Sequence, residues 1–351
     1  MPISSNLCHP ASCNIIRVVV NGGQTNMKFL LVILLVAWGG CANSAEPFMI
    51  FVSPVGNDSN DGLLDAYPVR TLRRAQDILE EHDPDRSIEI HINQGTYFNQ
   101  SVIWTYSNNH SITFTPINFT KERPIFDGNG LKKTWFKLNI STHSFTQLKF
   151  RYIKVQNYNT AMSFEGNRNH ESAWNAGNEL YGMYFYRIGG RYSNSDYSTA
   201  AVRFVNSRNN SIINTHFVDI LNIADQAAAI HAIYFAHYSS NNKVLRNTFL
   251  GINGDPIKVR DQSNYNYISN NRFESSGNSA FYQEWYCNKS IRNDCTKVIG
   301  ECPSIGNEFR DNILNRGFST DIKKYFISGD NDFCGVLKTS RLKVLGNTWG
   351  F

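Results

Sequence analysis

A short phrase returns along the second half of the chain: an apolar-rich stretch, usually an Asn, one further residue, then a large apolar side chain. It reads VLRNTF ending at Phe249, YISNNRF ending at Phe273, EFRDNIL ending at Leu314 and KVLGNTW ending at Trp349, with weaker copies ending at Phe185 and Phe217. The position two before the large apolar group falls at 183, 215, 247, 271, 312 and 347, and a degenerate copy is read at Arg151 through Ile153. Successive copies are as close as 24 residues (247 to 271) and as far apart as 41 (271 to 312). A unit near two dozen residues with variable insertions is too short to bury a core alone, so neighbouring units must stack into a solenoid.

The units are rich in β-branched and aromatic residues, Asn, Ser and Gly punctuate them, and no long helical period interrupts them. Each therefore reads as short strands separated by tight bends, one turn of a parallel β-helix. Asn at an equivalent place in successive coils can hydrogen-bond along the axis, which explains a polar residue recurring beside large apolar ones.

The segment before the repeats reads FVSPVGNDSNDG from Phe51, YPVRTLRRAQDIL from Tyr67 and IEIHINQGTY ending at Tyr97. Thr71 is placed to cap a helix over 71–81 whose Leu72, Ala75, Ile78 and Leu79 share one face. Such a helix covers the terminal coil, which would otherwise expose core and strand edges.

On Val52-Ser53, the Gly56 to Gly62 run GNDSNDG, Pro68, Thr71 and Gly95-Thr96-Tyr97, the chain resembles secreted right-handed parallel β-helix proteins of the pectate-lyase-like superfamily. The resemblance implies an all-β fold, a single-stranded right-handed parallel β-helix with an N-terminal capping helix, over 46–351. It does not choose an activity, because lyases, hydrolases, epimerases, esterases and adhesive modules share this architecture.

Met27-Lys28 opens a short apolar run followed by small residues up to Ala45, the pattern of a signal peptide over 27–45, with 1–26 a non-native upstream extension. The run is too short for a comfortable membrane span, so the mature chain is expected to be secreted, periplasmic or at the cell surface. Lipidation at Cys41 is less favoured, since Trp38 stands where an aliphatic residue is expected. Cys287, Cys295, Cys302 and Cys334 remain after Ala45, an even count that favours two disulfides pinning the insertion between Trp285 and Asn307. The formal charge of +5 tolerates an acidic ligand, and the lack of a Lys/Arg run gives no sign of nucleic acid. A monomer is expected.

Alternation in VRFVN, IYFAH and IKVRD buries Val202 and Phe204, Ile233 and Phe235, and Ile257 and Val259. Arg203, Tyr234, Lys258 and Arg260 then project outward as one patch, with His237 and Asp261 at its edge. Elimination from a uronate needs a base beside the carboxylate, a cation for the developing enediolate and an acid for the leaving oxygen. Lys258 is the candidate base if Arg203 and Arg260 depress its pKa, the arginines hold the carboxylate, and Tyr234 or His237 assists departure. Asp261, Glu284 and Tyr282 complete the expected substrate contacts, whereas His231 reads as a buried hydrogen-bonded histidine.

The leading expectation is a lyase or related uronan-modifying enzyme acting on acidic polysaccharide. A glycoside hydrolase using Asp255, Asp261 or Glu284 is the first alternative. A non-catalytic glycan-binding protein stacking sugars on Tyr184, Tyr186, Tyr234 and Tyr282 is the second. No metal site and no required cofactor are assigned, although those same carboxylates keep calcium open.

Overall fold

The computed structural model describes residues 46–350 apart from 120–121, 196, 290–291, 294, 296–299, 320 and 330–333. The expected signal peptide and upstream extension lie outside the described residues. Three long sheets run the length of the molecule, and every strand pairing in them is parallel. A ten-stranded sheet begins at Phe48–Val52 and ends at Leu342–Leu345. A nine-stranded sheet runs from Thr96–Phe98 to Thr348–Trp349, and an eight-stranded sheet from Val102–Trp104 to Lys323–Ile327.

One coil visits each sheet in turn. Lys243–Leu245 leads to Thr248–Ile252 and Ile257–Val259, and the chain then returns to the first sheet one strand further along at Tyr267–Ser269. This is a right-handed parallel β-helix. Inward side chains stack in register along its axis: Phe185, Phe217, Phe249 and Phe273 lie 5.1, 5.0 and 4.6 Å apart by ring centroid. Phe164, Phe204 and Phe235 form a second file on the third sheet at 5.0 and 5.3 Å.

The recurring phrase marks the bend between the first and second sheets. Tyr152, Gly182, Asn214, Arg246, Asn270, Asp311 and Gly346 all take left-handed backbone there, with φ between 52° and 61°. Glycine and asparagine are the usual occupants of that conformation, so their enrichment in the phrase has a backbone cause. The next residue enters the ladder. The Asn247 backbone N–H and Nδ2 both donate to Asn271 Oδ1, at 2.9 and 3.0 Å, and Asn271 repeats both bonds to Asn312. Asn312 does the same to Asn347, and at the other end Met183 N–H donates to Thr215 Oγ1. Tyr181 pairs with Arg151, so Ile153, the last residue of the degenerate copy, aligns with Met183.

A second ladder was not anticipated. Asn178, Asn210, Asn242, Asn266 and Asn307 pass the same paired bonds along the entry to the ten-stranded sheet.

The helix α1 (Leu72–His82) starts one residue later than expected. Arg74 N–H donates to Thr71 Oγ1 at 3.1 Å, and Leu72, Ala75, Ile78 and Leu79 are buried against the first coil, as their spacing implies. The sheet itself begins earlier than the repeats suggest. Phe48–Val52 pairs with Ile88–Ile92 and buries Ile50 and Val52, because this five-residue strand alternates correctly even though it precedes α1. Among the described residues no helix is long and apolar enough to cross a membrane.

Candidate functional site

Outward side chains on the eight-stranded sheet form a continuous column. Lys137, Ser163, Arg203, Tyr234, Lys258 and Gln283 occupy equivalent positions on six consecutive strands. Parallel strands lie about 4.8 Å apart, so neighbouring groups in the column are within each other's reach. Beyond the strand ends, His237 and Asp261 take left-handed backbone, with φ of 47° and 48°. His237 lines a groove, a cavity of ≈ 530 Å³ walled also by Glu165, Arg168, Arg203, Tyr234 and Arg260 among others, and Asp261 is bonded to His237.

Each group in the groove is held by a specific partner. Glu165 receives Lys137 Nζ at 2.6 Å and the Arg203 guanidinium. Burial would raise the Glu165 pKa, but these two cations outweigh it and hold the group below the usual carboxylate range. Arg260 Nη1 donates to the Tyr234 hydroxyl at 3.2 Å, and the rest of its guanidinium binds Glu301. Burial pushes the Tyr234 phenol up, so it keeps its proton. Arg260 also lies over the Trp285 ring, with its guanidinium carbon 4.6 Å from the centroid.

Lys258 keeps only 8% of its surface exposed, and its amine donates to Gln283 Oε1. Burial drives its pKa down to about 7; Arg260 adds to the fall, while Asp255 and the more distant Glu284 and Glu301 oppose it. Arg203 is not among the causes, so the expected mechanism of depression is corrected: desolvation leads and one arginine assists.

His237 is fixed from both sides. Its Nδ1 lies 2.8 Å from Asp261 Oδ2 and its Nε2 3.0 Å from Arg168 Nη2. A guanidinium only donates, so Nε2 accepts and the proton sits on Nδ1, facing Asp261. His231 is buried as expected; its Nδ1 bonds the Asp255 carbonyl at 2.7 Å, and burial lowers its pKa to about 3.

Two expected substrate contacts are displaced. Tyr282 registers with Ile257 and Glu284 with Val259, so both point into the core and neither has exposed surface. The run Ala280–Glu284 is apolar in both phases at its start, and alternation alone could not tell which face turns inward. Gln283 takes the outward place instead. Glu284 is bound by Arg341, whose Nη2 and Nε lie 2.8 and 3.0 Å from Oε1, and by Ser304 N–H. Asp255 Oδ1 accepts three backbone N–H groups, from Asn278, Ser279 and Ala280. Asp255 and Glu284, expected for a hydrolase alongside Asp261, are thus tied to structural partners. Tyr184 and Tyr186 belong to the nine-stranded sheet, on a different face from the groove.

His237, Asp261 and Glu301 bring one ligand atom each within 4.8 Å of one another. Their donor chemistry does not fit calcium. Glu301 is closed by the Arg260 guanidinium, His237 is a nitrogen donor already bonded to Asp261, and a single carboxylate is left for an ion that takes six to eight oxygens.

Glu165, Arg168 and Glu301 were not anticipated. Glu165 was accessible to the alternation rule, since Met162 and Phe164 point inward on its strand. Arg168 and Glu301 sit outside regular strands and carry no periodic signal.

No protein-family model matches the sequence, and no curated protein sequence matches it. Solved structures do. The alginate lyase from Paenibacillus sp. str. FPU-7 superposes with a TM-score of 0.54 at 12% identity, over 86% of this chain and 95% of the other. Escherichia coli YbhC gives 0.50 at 10% identity, over 87% and 85%. The pectate lyase Pel9A gives 0.48 at 11%, over 85% and 79%. The chain shares the parallel β-helix fold of the alginate lyase. At these identities the likeness speaks for the β-helix alone, and activity has to be argued from the groove.

Proposed function

We propose that this β-helix is an exported enzyme that cleaves or modifies acidic polysaccharide by removing the proton beside a uronate carboxylate. The observation that carries the reading is the pairing of Lys258 with Tyr234. They are in register on adjacent coils, the amine poised near pH 7 and the phenol held protonated, with Arg203 and Arg260 beside them. Neutral Lys258 takes the proton from the carbon next to the carboxylate. The electrons form the new double bond as the glycosidic C–O bond breaks, and Tyr234 protonates the departing oxygen. Arg260 donates to the phenol oxygen, which leaves the phenolic hydrogen free to be given away and steadies the phenolate that results. Arg203 and Arg260 supply positive charge for the enediolate. The two disulfides and the short apolar leader support export.

Polygalacturonate, alginate and glycosaminoglycans are the substrates to test, with and without calcium. Elimination is read as ultraviolet absorbance from the conjugated unsaturated uronate. New reducing ends without that absorbance would replace this reading by hydrolysis, and binding without either would replace it by a lectin-like role. Lys258→Ala is expected to lower turnover by about 100-fold, and Arg260→Ala to weaken carboxylate recognition and transition-state stabilisation.

A further inference from the structure

The nine-stranded sheet carries a second set of aromatic and cationic groups on its outer surface. Lys154, Tyr184 and His216 are in register on three consecutive strands, and Gln156, Tyr186 and Val218 form the next column. Tyr184 and Tyr186 lie 6.2 Å apart by ring centroid, and Tyr184 lies 5.7 Å from His216. Two cations converge on one of these rings. Lys154 Nζ is 4.9 Å from the Tyr186 centroid, and the Arg187 guanidinium carbon is 5.0 Å from it. Arg187 reaches that position because it takes left-handed backbone, φ 53°, at the bend that ends the strand.

Among the described residues neither Lys154 nor Arg187 belongs to a salt bridge. The nearby carboxylate, Asp127, favours the charged form of Lys154 through space, while its oxygens accept from Gln156 Nε2 and Asn157 Nδ2, at 2.7 and 2.9 Å. Burial lowers the Lys154 pKa; Asp127 opposes the fall, and repulsion from the like charge of Arg187 adds to it. An anion seated between them would relieve that repulsion, and a sugar ring would find the tyrosine rings at the same place.

We propose that the Lys154, Tyr184, Tyr186 and Arg187 cluster is an auxiliary binding site for a carboxylate-bearing polysaccharide, separate from the groove on the eight-stranded sheet. One uronate carboxylate bridges Lys154 and Arg187, and an adjoining sugar ring lies against the tyrosines. A chain held on two faces of one solenoid is retained more strongly than its groove contact alone provides, by effective concentration. The choice of an acidic polysaccharide shares the premise of the proposed function, but the site itself is independent of any catalysis in the groove.

The test is binding of polygalacturonate, with neutral dextran and dextran sulfate as controls, measured by calorimetry on three proteins. These are the full mature chain, a Lys154→Ala/Arg187→Ala variant and an Arg203→Ala/Lys258→Ala variant. The first substitution pair is expected to weaken polygalacturonate binding by roughly tenfold, and the groove pair to leave a measurable class of sites. Tyr186→Phe is expected to keep the affinity and Tyr186→Ala to weaken it, which separates stacking from loss of fold. Unchanged affinity in Lys154→Ala/Arg187→Ala, or loss of all binding in the groove variant, would overturn the site. Equal binding of dextran sulfate and polygalacturonate would overturn its assignment to carboxylates. Absence of an unsaturated product would overturn only the proposed chemistry, because it does not bear on binding at this face.

Discussion

Glu301 grips Arg260 at two points, with Arg260 Nη2 donating to Oε1 and Nε to Oε2, each at 2.6 Å. The grip is built by the insertion between the strands Ala280–Glu284 and Asn307–Arg310. Glu301 N–H donates to the Cys287 carbonyl at 2.9 Å, and Cys287 N–H returns a bond to Oε2 at 3.0 Å. The next residue, Cys302, donates its N–H to Asp261 Oδ1 at 3.2 Å. A segment with no strand pattern therefore fixes both Arg260 and the carboxylate that orients His237.

Glu301→Ala leaves the Arg260 guanidinium in a partly buried site without its carboxylate. Loss of one partner of such a pair is expected to lower stability by about 3 kcal/mol. The double variant Glu301→Ala/Arg260→Met is expected to lose less than the sum of the two single variants, because neither charge is left alone. Urea melts of the four proteins check this, and strict additivity would show that the grip contributes nothing.

The disulfides Cys287–Cys295 and Cys302–Cys334 flank Glu301 on either side. The second reaches beyond the insertion to Cys334, so it ties the insertion to the last coil and not only to itself. Thiol titration of the denatured, unreduced mature protein is expected to find none of these four cysteines free. Reduction is expected to expose the insertion to protease before the amino-terminal coils, since it removes constraints only at that end.

Lys258 makes a prediction whose sign follows from linkage. Its amine titrates near 7 in the folded chain and near 10.5 when unfolded, so between those values the unfolded state binds the additional proton. Stability attributable to this residue therefore rises with pH across that window, and the full penalty of charging a buried amine is felt below about pH 7. Lys258→Met is expected to melt higher than the natural protein at pH 6 to 7, by a few kcal/mol, with the gap closing toward pH 10. Turnover has the same direction: activity that depends on the neutral amine is expected to rise with pH through about 7 on its acid limb. A pH-independent difference in melting temperature would show that the amine is not desolvated.

The solenoid was legible because the phrase around Asn247, Asn271, Asn312 and Asn347 is tied to a physical requirement in every coil: a left-handed residue, then a ladder rung, then an inward aromatic or aliphatic group. The second ladder has the same form, Asn, one residue, then an apolar group, as in Asn242-Lys243-Val244 and Asn266-Tyr267-Ile268. It is harder to read because Leu180, Ile212, Val244 and Ile268, the apolar partners of its first four rungs, are aliphatics that an Asn-rich chain supplies by chance, and an aromatic follows only at Phe309. In the groove, Arg203, Tyr234 and Lys258 followed from strand alternation, as Glu165 would have. Tyr282 and Glu284 did not, because a run that is apolar in both phases hides its register. Glu301 depends on a disulfide-pinned insertion whose path is long-range and has no local code.

The ladders give the sharpest test of how the fold is held. Asn271 accepts two bonds from Asn247 and donates to Asn312 Oδ1 and the Val244 carbonyl, so Asn271→Leu orphans polar groups on both neighbouring coils. Each buried orphan costs on the order of 1 to 3 kcal/mol, and the sum is expected to exceed what the added apolar surface returns. Asn242→Leu in the second ladder breaks an equivalent set: Asn242 Oδ1 accepts from Asn210 N–H and Nδ2 at 2.9 and 2.8 Å, and its Nδ2 donates to Asn266 Oδ1 at 2.9 Å. The two substitutions are therefore expected to lower the melting temperature to a similar degree. Asn347→Leu is expected to cost less, because that terminal rung is only half-buried and water can take over part of its bonding. Equal losses at all three positions would mean that the stacked aromatic files, and not the amide ladders, set the register of the coils.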